Sequence, residues 1–452
     1  MVRLLAALAL AASLLGIAAP TTAATPTLRS VMYVGNNWAG TASIVDAKTM
    51  TVLKRGVDLI PDKAEELARI QANPVALAYY LIIQQGPGEG HDQYVDDMFA
   101  TRDGKYLAVS RPSFADVVWI DLAAALTEGS TTAQIVHREQ SMDGYRTDHM
   151  ALSPDGRRLL ASDSTAAKVI EFSMVDETLP DGTVVKLGDR LRTFPSGETP
   201  HESNYTSDGS KIFHASIGKV YTPGDDPLLD ALKGDRWFQI VRDSDFAVER
   251  RWDMGKELAE SGRPNMSSAV RPMALGPKDL LYYQVSFFHG LVEFDTSLPD
   301  ANTASNYASG GIAEPTTGRV TRVLELPNAI PNVPREQYVN DSAHHGLAIS
   351  GDKKTLCVAG TMDDYIALVD RASFAHKTYL ESPRTPPEGT DGKYLKPYWS
   401  TEAPHNRCWV SLSGSDAVAV FDFAKKKEVA YLAVGDHPQR IRHGSIVASL
   451  VG

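Results

Sequence analysis

The stretch 148–156 reads Asp-His-Met-Ala-Leu-Ser-Pro-Asp-Gly and begins a pattern that recurs along the chain. An apolar run at 159–161 follows it, then a polar turn at 163–164 and a second apolar run at 169–172. Asp and Gly are residues that tight hairpin turns favour. The stretch therefore predicts three consecutive antiparallel strands joined by short turns, with no helix between them.

The same unit appears again at other places in the sequence. The stretch 98–104 leads into apolar runs at 106–109 and 117–121, and the stretch 346–352 leads into runs at 356–359 and 366–370. The register repeats as well, because a valine precedes an aspartate by twelve residues in the pairs Val34 and Asp46, Val109 and Asp121, Val358 and Asp370, and Val410 and Asp422. Radial repetition of such antiparallel units is how a β-propeller protects its sheet edges.

Seven such units can be counted. The first begins near residue 25, and the others begin near Asp96, Asp148, His201, Arg271, His345 and Tyr398. The first unit lacks an innermost strand, while the tail 439–450 reads as a strand without a partner. The sequence thus predicts an all-β fold: a single seven-bladed β-propeller over residues 25–452, with four-stranded antiparallel blades and a ring closed by the C-terminal strand.

One insertion departs from the short turns of the repeat. The stretch 61–71 reads as a helix, with Pro61 in its first turn and acidic residues early. Pro74 interrupts the pattern, and an apolar stretch follows to residue 83. Because this helical insertion near 61–83 joins an outer strand to the next inner strand, we expect it over the mouth of the central channel. It is either a lid or surface packing without a role.

The N-terminus and the composition bear on location and partners. Arg3 precedes an apolar run from residue 4 to 19, and small residues follow, which predicts a signal peptide at 1–24 and a secreted or periplasmic protein. A membrane anchor is the alternative, and no later segment is long and apolar enough to span a bilayer. The formal net charge of -11 argues against nucleic acid as a partner, because phosphate binding needs a basic surface.

Three stretches carry a family resemblance: 434–438 (Val-Gly-Asp-His-Pro), 200–209, and 33–36 together with Val45 and Asp46. They resemble the YVTN-type β-propeller repeat of YncE-like proteins, over nearly all of the chain after the signal peptide. The resemblance implies the seven-bladed fold. It implies little about function, because such propellers serve as enzymes, cofactor-bearing subunits and binding platforms. Methylamine dehydrogenase heavy chains are similar at the level of the fold only.

In the register of this repeat, one position of each innermost strand begins the strand and faces the channel axis. The residues at that position and the next form what we call the hub collar. Its members are Asp96, Asp97, Asp148, His149, His201, Glu202, Arg271, Pro272 and His345. A closed ring would bring these acids, imidazoles and one guanidinium together around one axis.

Three interpretations of the hub collar remain open. The side chains could cap strand ends without chemistry. They could hold a divalent metal such as copper, zinc or iron, with His149, His201 and His345 as first ligands and His344 in reserve. They could also form a metal-free pocket, in which Arg271 anchors an anionic group and a carboxylate paired with His201 or His345 moves a proton.

Two functions follow from these interpretations, and the sequence does not choose between them. One is a secreted enzyme that acts on a small polar or anionic molecule at the channel mouth. In that case Asp96, Asp148, His149, His201, Glu202, Arg271 and His345 would contact the substrate. The other is a secreted binding or scaffold propeller without catalysis, whose partner is a protein.

The two cysteines, Cys357 and Cys408, fall in the second strands of neighbouring units. A disulfide between them is possible in an oxidising compartment. Packed sheets are typically ~10 Å apart, farther than a disulfide can reach, so we expect two buried thiols instead. Two other polar residues near second strands, His214 and His289, are expected to be packing residues.

Overall fold

A computed structural model describes residues 26–452, except 128, 130, 141, 220–233, 255–256, 259–260, 264–269, 298–319, 339 and 341. For residues 270 and 271 the structure describes the backbone only. The predicted signal peptide, 1–24, lies outside the described residues.

The chain forms seven four-stranded antiparallel sheets, which confirms the predicted seven-bladed β-propeller. We number the blades along the chain and give each blade's strands from the innermost outward. The strands are Pro438–Val447, Leu28–Asn36, Thr41–Asp46 and Val52–Asp58 in blade 1; Met98–Ala100, Tyr106–Arg111, Asp116–Asp121 and Ile135–Glu139 in blade 2; Thr147–Leu152, Arg158–Asp163, Lys168–Ser173 and Arg190–Pro195 in blade 3; Pro200–Tyr205, Lys211–Ser216, Trp237–Arg242 and Val248–Asp253 in blade 4; Val270–Leu275, Leu280–Val285, Gly290–Asp295 and Val320–Glu325 in blade 5; Gly346–Ile349, Thr355–Gly360, Tyr365–Asp370 and His376–Tyr379 in blade 6; and Pro397–Ala403, Arg407–Leu412, Ala417–Asp422 and Lys427–Ala433 in blade 7.

Helices and short elements lie in the connections between the strands of the ring and after its last strand. The α-helices that the structure describes from end to end are α1 (Lys63–Gln71), α2 (Pro74–Gln85) and α3 (Leu122–Ala125). Short 3-10 turns occupy Pro112–Phe114, Thr132–Gln134, Arg335–Gln337 and Ala448–Leu450, and a small hairpin pairs Glu177–Thr178 with Val184–Val185. Within the described part of the chain, each helix is too short or too polar to cross a bilayer.

The two ends of the chain close the ring in blade 1. The C-terminal strand Pro438–Val447 pairs antiparallel with Leu28–Asn36, as the sequence predicted. The innermost strands of neighbouring blades contact one another all the way around. Residues that begin these strands are therefore neighbours at the hub, even where more than a hundred positions separate them along the chain.

The core lies between blades, where the faces of neighbouring sheets interdigitate. Trp119 and Phe172 meet between blades 2 and 3, with ring centroids 5.5 Å apart. Trp252 and Phe294 meet in the same way between blades 4 and 5, also at 5.5 Å. These apolar contacts between sheets are the main source of favourable folding free energy. They leave the narrow hub to polar side chains.

Cys357 and Cys408 form a disulfide between blades 6 and 7, so the expectation of two free thiols was wrong. Their Cα atoms lie 6.5 Å apart, within the range that a disulfide tolerates. The usual ~10 Å between sheets holds where large side chains interdigitate. Second strands lie close to the hub, where the blades converge, and two small side chains allow a closer approach.

Helices α1 and α2 connect the outermost strand of blade 1 to blade 2. A buried network of salt bridges holds α1 against blade 2. Arg111 in blade 2 donates hydrogen bonds to Asp62, at the N-terminus of the helix, and to Asp116. The side chains of all three residues are fully buried. The chain then runs from α2 through the loop 86–92 toward the hub.

Candidate functional site

Backbone bulges shape the hub where the innermost strands begin. In blade 3, Asp148 and His149 together oppose a single residue of the second strand. The same two-against-one irregularity occurs in four other blades, at residues 439–440, 201–202, 271–272 and 398–399. A bulge bends the strand and changes the direction of its side chains. In blade 3 both residues of the pair, Asp148 and His149, consequently reach the hub.

Three imidazoles meet at the hub. The ring centroids of His149 and His201 are 3.8 Å apart, those of His201 and His345 are 5.7 Å apart, and those of His149 and His345 are 6.3 Å apart. All three residues are buried. The structure thus brings together the three histidines that the sequence singled out.

Two carboxylates of the hub collar lie beside them. Asp148 accepts hydrogen bonds from Arg146 and from Ser164. Asp96 lies 3.6 Å from the guanidinium of Arg440, and its other oxygen, Oδ2, has no hydrogen-bond partner in the described part of the chain. Burial raises the pKa of Asp96 to about 7, against the opposing effect of Arg440.

Arg440 is the central residue that the sequence analysis missed. It donates to Nε2 of His149, and its guanidinium carbon lies 4.1 Å from the ring centroid of Trp399. Its remaining nitrogens, Nε and Nη1, are buried without a hydrogen-bond partner among the described residues. The structure shows why it belongs to the hub: Val34 pairs with Ile441, which places Arg440 at a hub collar position of blade 1.

Burial lowers the pKa of His149 well below its usual value, and Arg440 adds to this effect. The imidazole is therefore neutral. Because its Nε2 accepts from Arg440, its proton lies on Nδ1. That Nδ1 is buried and has no partner in the described residues, so the ring offers one unsatisfied donor.

A small cavity of about 20 Å³ lies among these residues, which we call the hub cavity. Asp96, Asp148, His149, His201, His345, Arg146 and Arg440 line it. The loop 86–92 contributes Pro87, and the remaining contacts come from Gln93, Ile217, Asn340 and Tyr398. The hub is thus filled by polar side chains, with only a little free space.

Other predicted site residues lie elsewhere. Glu202 does not line the hub cavity; it accepts from Asn204 and from the backbone of Met273 and lines a separate cavity of about 300 Å³ with Arg442. Asp97 accepts two hydrogen bonds from Arg442, at 2.8 and 2.6 Å. Arg271 lies on the innermost strand of blade 5, and its side chain is outside the described residues.

The suitability of the hub for a metal ion can be judged from its ligands and charges. One ligand atom each from Asp148, His149 and His201 lie within 4.8 Å of one another. However, His149 already accepts a hydrogen bond from the guanidinium of Arg440, and Asp148 accepts one from the guanidinium of Arg146. A dication there would face two fixed positive charges at short range, which opposes binding.

Fold and site together define a seven-bladed β-propeller with a buried, arginine-containing polar hub. No protein-family model matches the chain, and no curated protein matches it in sequence. The YVTN-type assignment therefore stays a prediction.

Among solved structures, the chain is similar to the periplasmic gluconolactonase of Pseudomonas aeruginosa, with 14% identity over 92% of this chain and 99% of that chain, and a TM-score of 0.49. Virginiamycin B lyase from Staphylococcus aureus shows 11% identity over 75% of this chain and 83% of that chain, with a TM-score of 0.45. Hydrazine synthase from Kuenenia stuttgartiensis shows 11% identity over 76% of this chain and 88% of that chain, with a TM-score of 0.46. At these identities the similarity concerns the propeller fold alone.

Proposed function

We propose that the protein is a secreted enzyme that binds a small organic anion at the hub and transfers a proton to or from it. One observation carries the proposal: buried Arg440 has two nitrogens without an acceptor among the described residues. A buried charged donor without a partner costs several kcal/mol. Nε and Nη1 lie on different edges of the guanidinium group, so a carboxylate with a second oxygen group beside it would satisfy both nitrogens, one acceptor on each edge.

Asp96 and His149 supply the chemistry beside this anchor. With a pKa of about 7, Asp96 is present in both protonation states near neutral pH, so it can accept or donate a proton. Neutral His149 presents its Nδ1 proton as a donor that stabilises negative charge developing on the substrate. Arg440 holds this tautomer in place through its bond to Nε2.

Access to the hub requires movement, because a cavity of about 20 Å³ holds about one water molecule. We propose that the loop 86–92 is the lid. Pro87 lines the hub cavity, and Glu89 accepts from the ammonium of Lys396 in blade 7 at 2.6 Å. The side chains of this ion pair are 25% and 22% exposed, so water screens the pair in part, and the contact can open and close.

The first experiment is a thermal-shift and calorimetric screen of small carboxylic acids, with Arg440→Gln compared with Arg442→Gln. The two arginines lie on the same strand, but Arg440 is buried, whereas the side chain of Arg442 is 17% exposed and donates two hydrogen bonds to Asp97. We expect Arg442→Gln to lower stability and keep the acid-dependent shift, and Arg440→Gln to lose that shift. An equal acid-dependent shift in both variants would refute the anchor.

The second experiment separates catalysis from binding. For an acid that binds, we expect Asp96→Asn to retain binding and to lose roughly 10²–10⁴-fold in turnover. The wild-type pH profile should show an inflection near pH 7 that the variant lacks. If no bound acid is ever turned over, the hub binds a small anion without catalysis and the proton-transfer part of the proposal is refuted.

Secretion belongs to the proposal as well. It is supported by the apolar N-terminal stretch 4–19 and by the Cys357–Cys408 disulfide, because such bonds persist in oxidising compartments. Detection of the chain, cut after about residue 24, in the medium or periplasm of the producing cell would support it. Retention of the intact chain inside the cell would refute it.

A metal ion at the hub is the second candidate, favoured by the convergence of Asp148, His149 and His201. It predicts metal in protein purified without a histidine tag, and loss of that metal in His201→Gln. The anion proposal predicts that acid binding survives removal of all metal with a chelator.

A further inference from the structure

A second group of imidazoles lies away from the hub, between blades 5 and 6. His289 belongs to the turn between the second and third strands of blade 5, and Asp363 belongs to the equivalent turn of blade 6. His344 precedes the innermost strand of blade 6. Asp363 Oδ2 accepts from His289 Nδ1 at 2.6 Å and from His344 Nε2 at 2.9 Å.

These three side chains converge on one point. One ligand atom of each lies within 4.8 Å of the other two. The side chains of His344 and Asp363 are fully buried, and that of His289 is 10% exposed. The expectation that His289 merely packs was incomplete, because it belongs to this polar cluster.

The opposite atoms of two of these groups are held by further hydrogen bonds. His289 Nε2 bonds the hydroxyl of Tyr338 at 2.9 Å, and Asp363 Oδ1 accepts from the backbone N–H of Ala329 at 2.7 Å. Metal-binding histidines almost always have such a partner on the ring nitrogen that does not bind the metal, because it fixes the ring and its tautomer. This cluster already has that support for His289 and for the carboxylate.

The charges around the cluster differ from those at the hub. Among the described residues, no lysine or arginine forms a salt bridge with Asp363. Burial acts to raise the pKa of Asp363, but the hydrogen bonds from His289 and His344 outweigh it and lower the pKa to about 2. Burial lowers the pKa of His344, so its imidazole is neutral. One carboxylate with two imidazoles is a donor set suited to divalent ions such as zinc and iron.

We propose that His289, His344 and Asp363 form a binding site for a divalent transition-metal ion, of which Zn²⁺ is the probe of choice. The ion would take the place of the two imidazole protons that Oδ2 of Asp363 now accepts, and each neutral ring would then carry its proton on its other nitrogen: His289 on Nε2, which would donate to the Tyr338 hydroxyl, and His344 on Nδ1. It would join blade 5 to blade 6. Because His344 directly precedes His345, the ion would also hold the part of the hub collar that His345 occupies. This site does not depend on the proposed anion chemistry.

The test uses the full protein, purified without a histidine tag and treated with a chelator, then titrated with Zn²⁺ by calorimetry and with Co²⁺ by visible absorption. We expect one tight Zn²⁺ per chain and a zinc-dependent rise in melting temperature. Asp363→Asn, which keeps the shape of the side chain, should weaken Zn²⁺ binding on the order of 100-fold or more, beyond the 10–100-fold typical of residues that only support a ligand.

Two further variants keep the result interpretable. His289→Gln changes a residue at the edge of the cluster and should also lose Zn²⁺, which preserves the test if Asp363→Asn fails to fold. His149→Gln at the hub is the matched control and should bind Zn²⁺ and Co²⁺ as the wild type does. The proposal is overturned if the wild type binds no Zn²⁺, or if only His149→Gln loses it, because the ion would then lie at the hub.

Discussion

Arg440 and Arg442 lie two residues apart on the strand that closes the ring, yet they have different surroundings. Arg442 donates twice to Asp97 and lies 4.8 Å from the ring centroid of Phe99. Arg440 stacks on Trp399 and bonds a neutral histidine, so part of its guanidinium lacks an acceptor among the described residues. The same residue type is therefore structural at one position and available for a ligand at the other.

His214 provides a prediction about pH and stability at a single residue. It is fully buried between the hydroxyls of Ser196 and Ser203, at 2.7 and 2.9 Å, and burial lowers its pKa to about 3. In the unfolded chain the pKa is about 6.5. The stabilising effect of this neutral ring is therefore complete above pH 6.5, and it is lost as the pH falls toward 3.

We expect His214→Asn to remove that dependence. Urea unfolding from pH 7.5 to 4 should show the wild type losing up to about 1.4 kcal/mol per pH unit relative to the variant below pH 6.5. The exposed residue His376 gives a control, His376→Asn, which should follow the wild type. Parallel curves for wild type and His214→Asn would contradict the prediction.

Among the structural elements, helix α1 depends most on a buried charge network. Arg111 is fully buried and bonds both Asp62 and Asp116, so Arg111→Met leaves two buried carboxylates with fewer partners. We expect a loss of roughly 3–5 kcal/mol in the free energy of unfolding. Hydrogen exchange should become faster in α1 before it changes in the blades.

Lys105→Met is the matched control for this variant. Lys105 forms a salt bridge with Asp103, and both side chains are exposed. We therefore expect the free energy of unfolding to change by less than about 1 kcal/mol. If Arg111→Met cost no more than Lys105→Met, the network would not be what holds α1 on blade 2.

The disulfide gives a prediction about two neighbouring blades. Cys357 and Cys408 are 51 residues apart, for which the chain-entropy model gives about 4 kcal/mol of stabilisation. We expect Cys357→Ser with Cys408→Ser to lower the free energy of unfolding by about that amount. Adding a reductant during unfolding should lower the midpoint of the wild type and leave the double variant unchanged; equal sensitivity in both would contradict a native disulfide.

Which elements the sequence could predict depends on how local their signals are. The twelve-residue spacing from Val109 to Asp121 lies within one hairpin, so strand pairing was predictable. The position of Arg440 was missed because no turn fixes the register of a strand that joins the ring from the far end of the chain. In the cluster between blades 5 and 6, Asp363 lies 74 positions from His289 and 19 positions from His344, so no short sequence motif indicates that these residues meet. The disulfide was misjudged because an average sheet spacing does not apply near the hub.

At the scale of the whole molecule, the ring depends on contacts between the two chain ends. Ser30 bonds His443 across 413 positions, and Ile441 is fully buried against blade 1 and blade 7. Closing so long a loop carries a large entropic cost, which the last strand must offset by its pairing and burial. The same strand also carries Arg440 to the hub.

We therefore expect a chain ending at residue 434 to lose cooperative unfolding and to self-associate, because the apolar strand Leu28–Asn36 loses the partner on one of its two edges. A synthetic peptide of residues 436–452 should restore the single sharp transition and the monomer, measured by circular dichroism and by sedimentation. The same peptide with Ile441→Asp is the control and should fail, because it places a charge in the apolar contact between blades 1 and 7. If the truncated chain unfolded as sharply as the full chain without any peptide, the seven blades would be stable as an open arc.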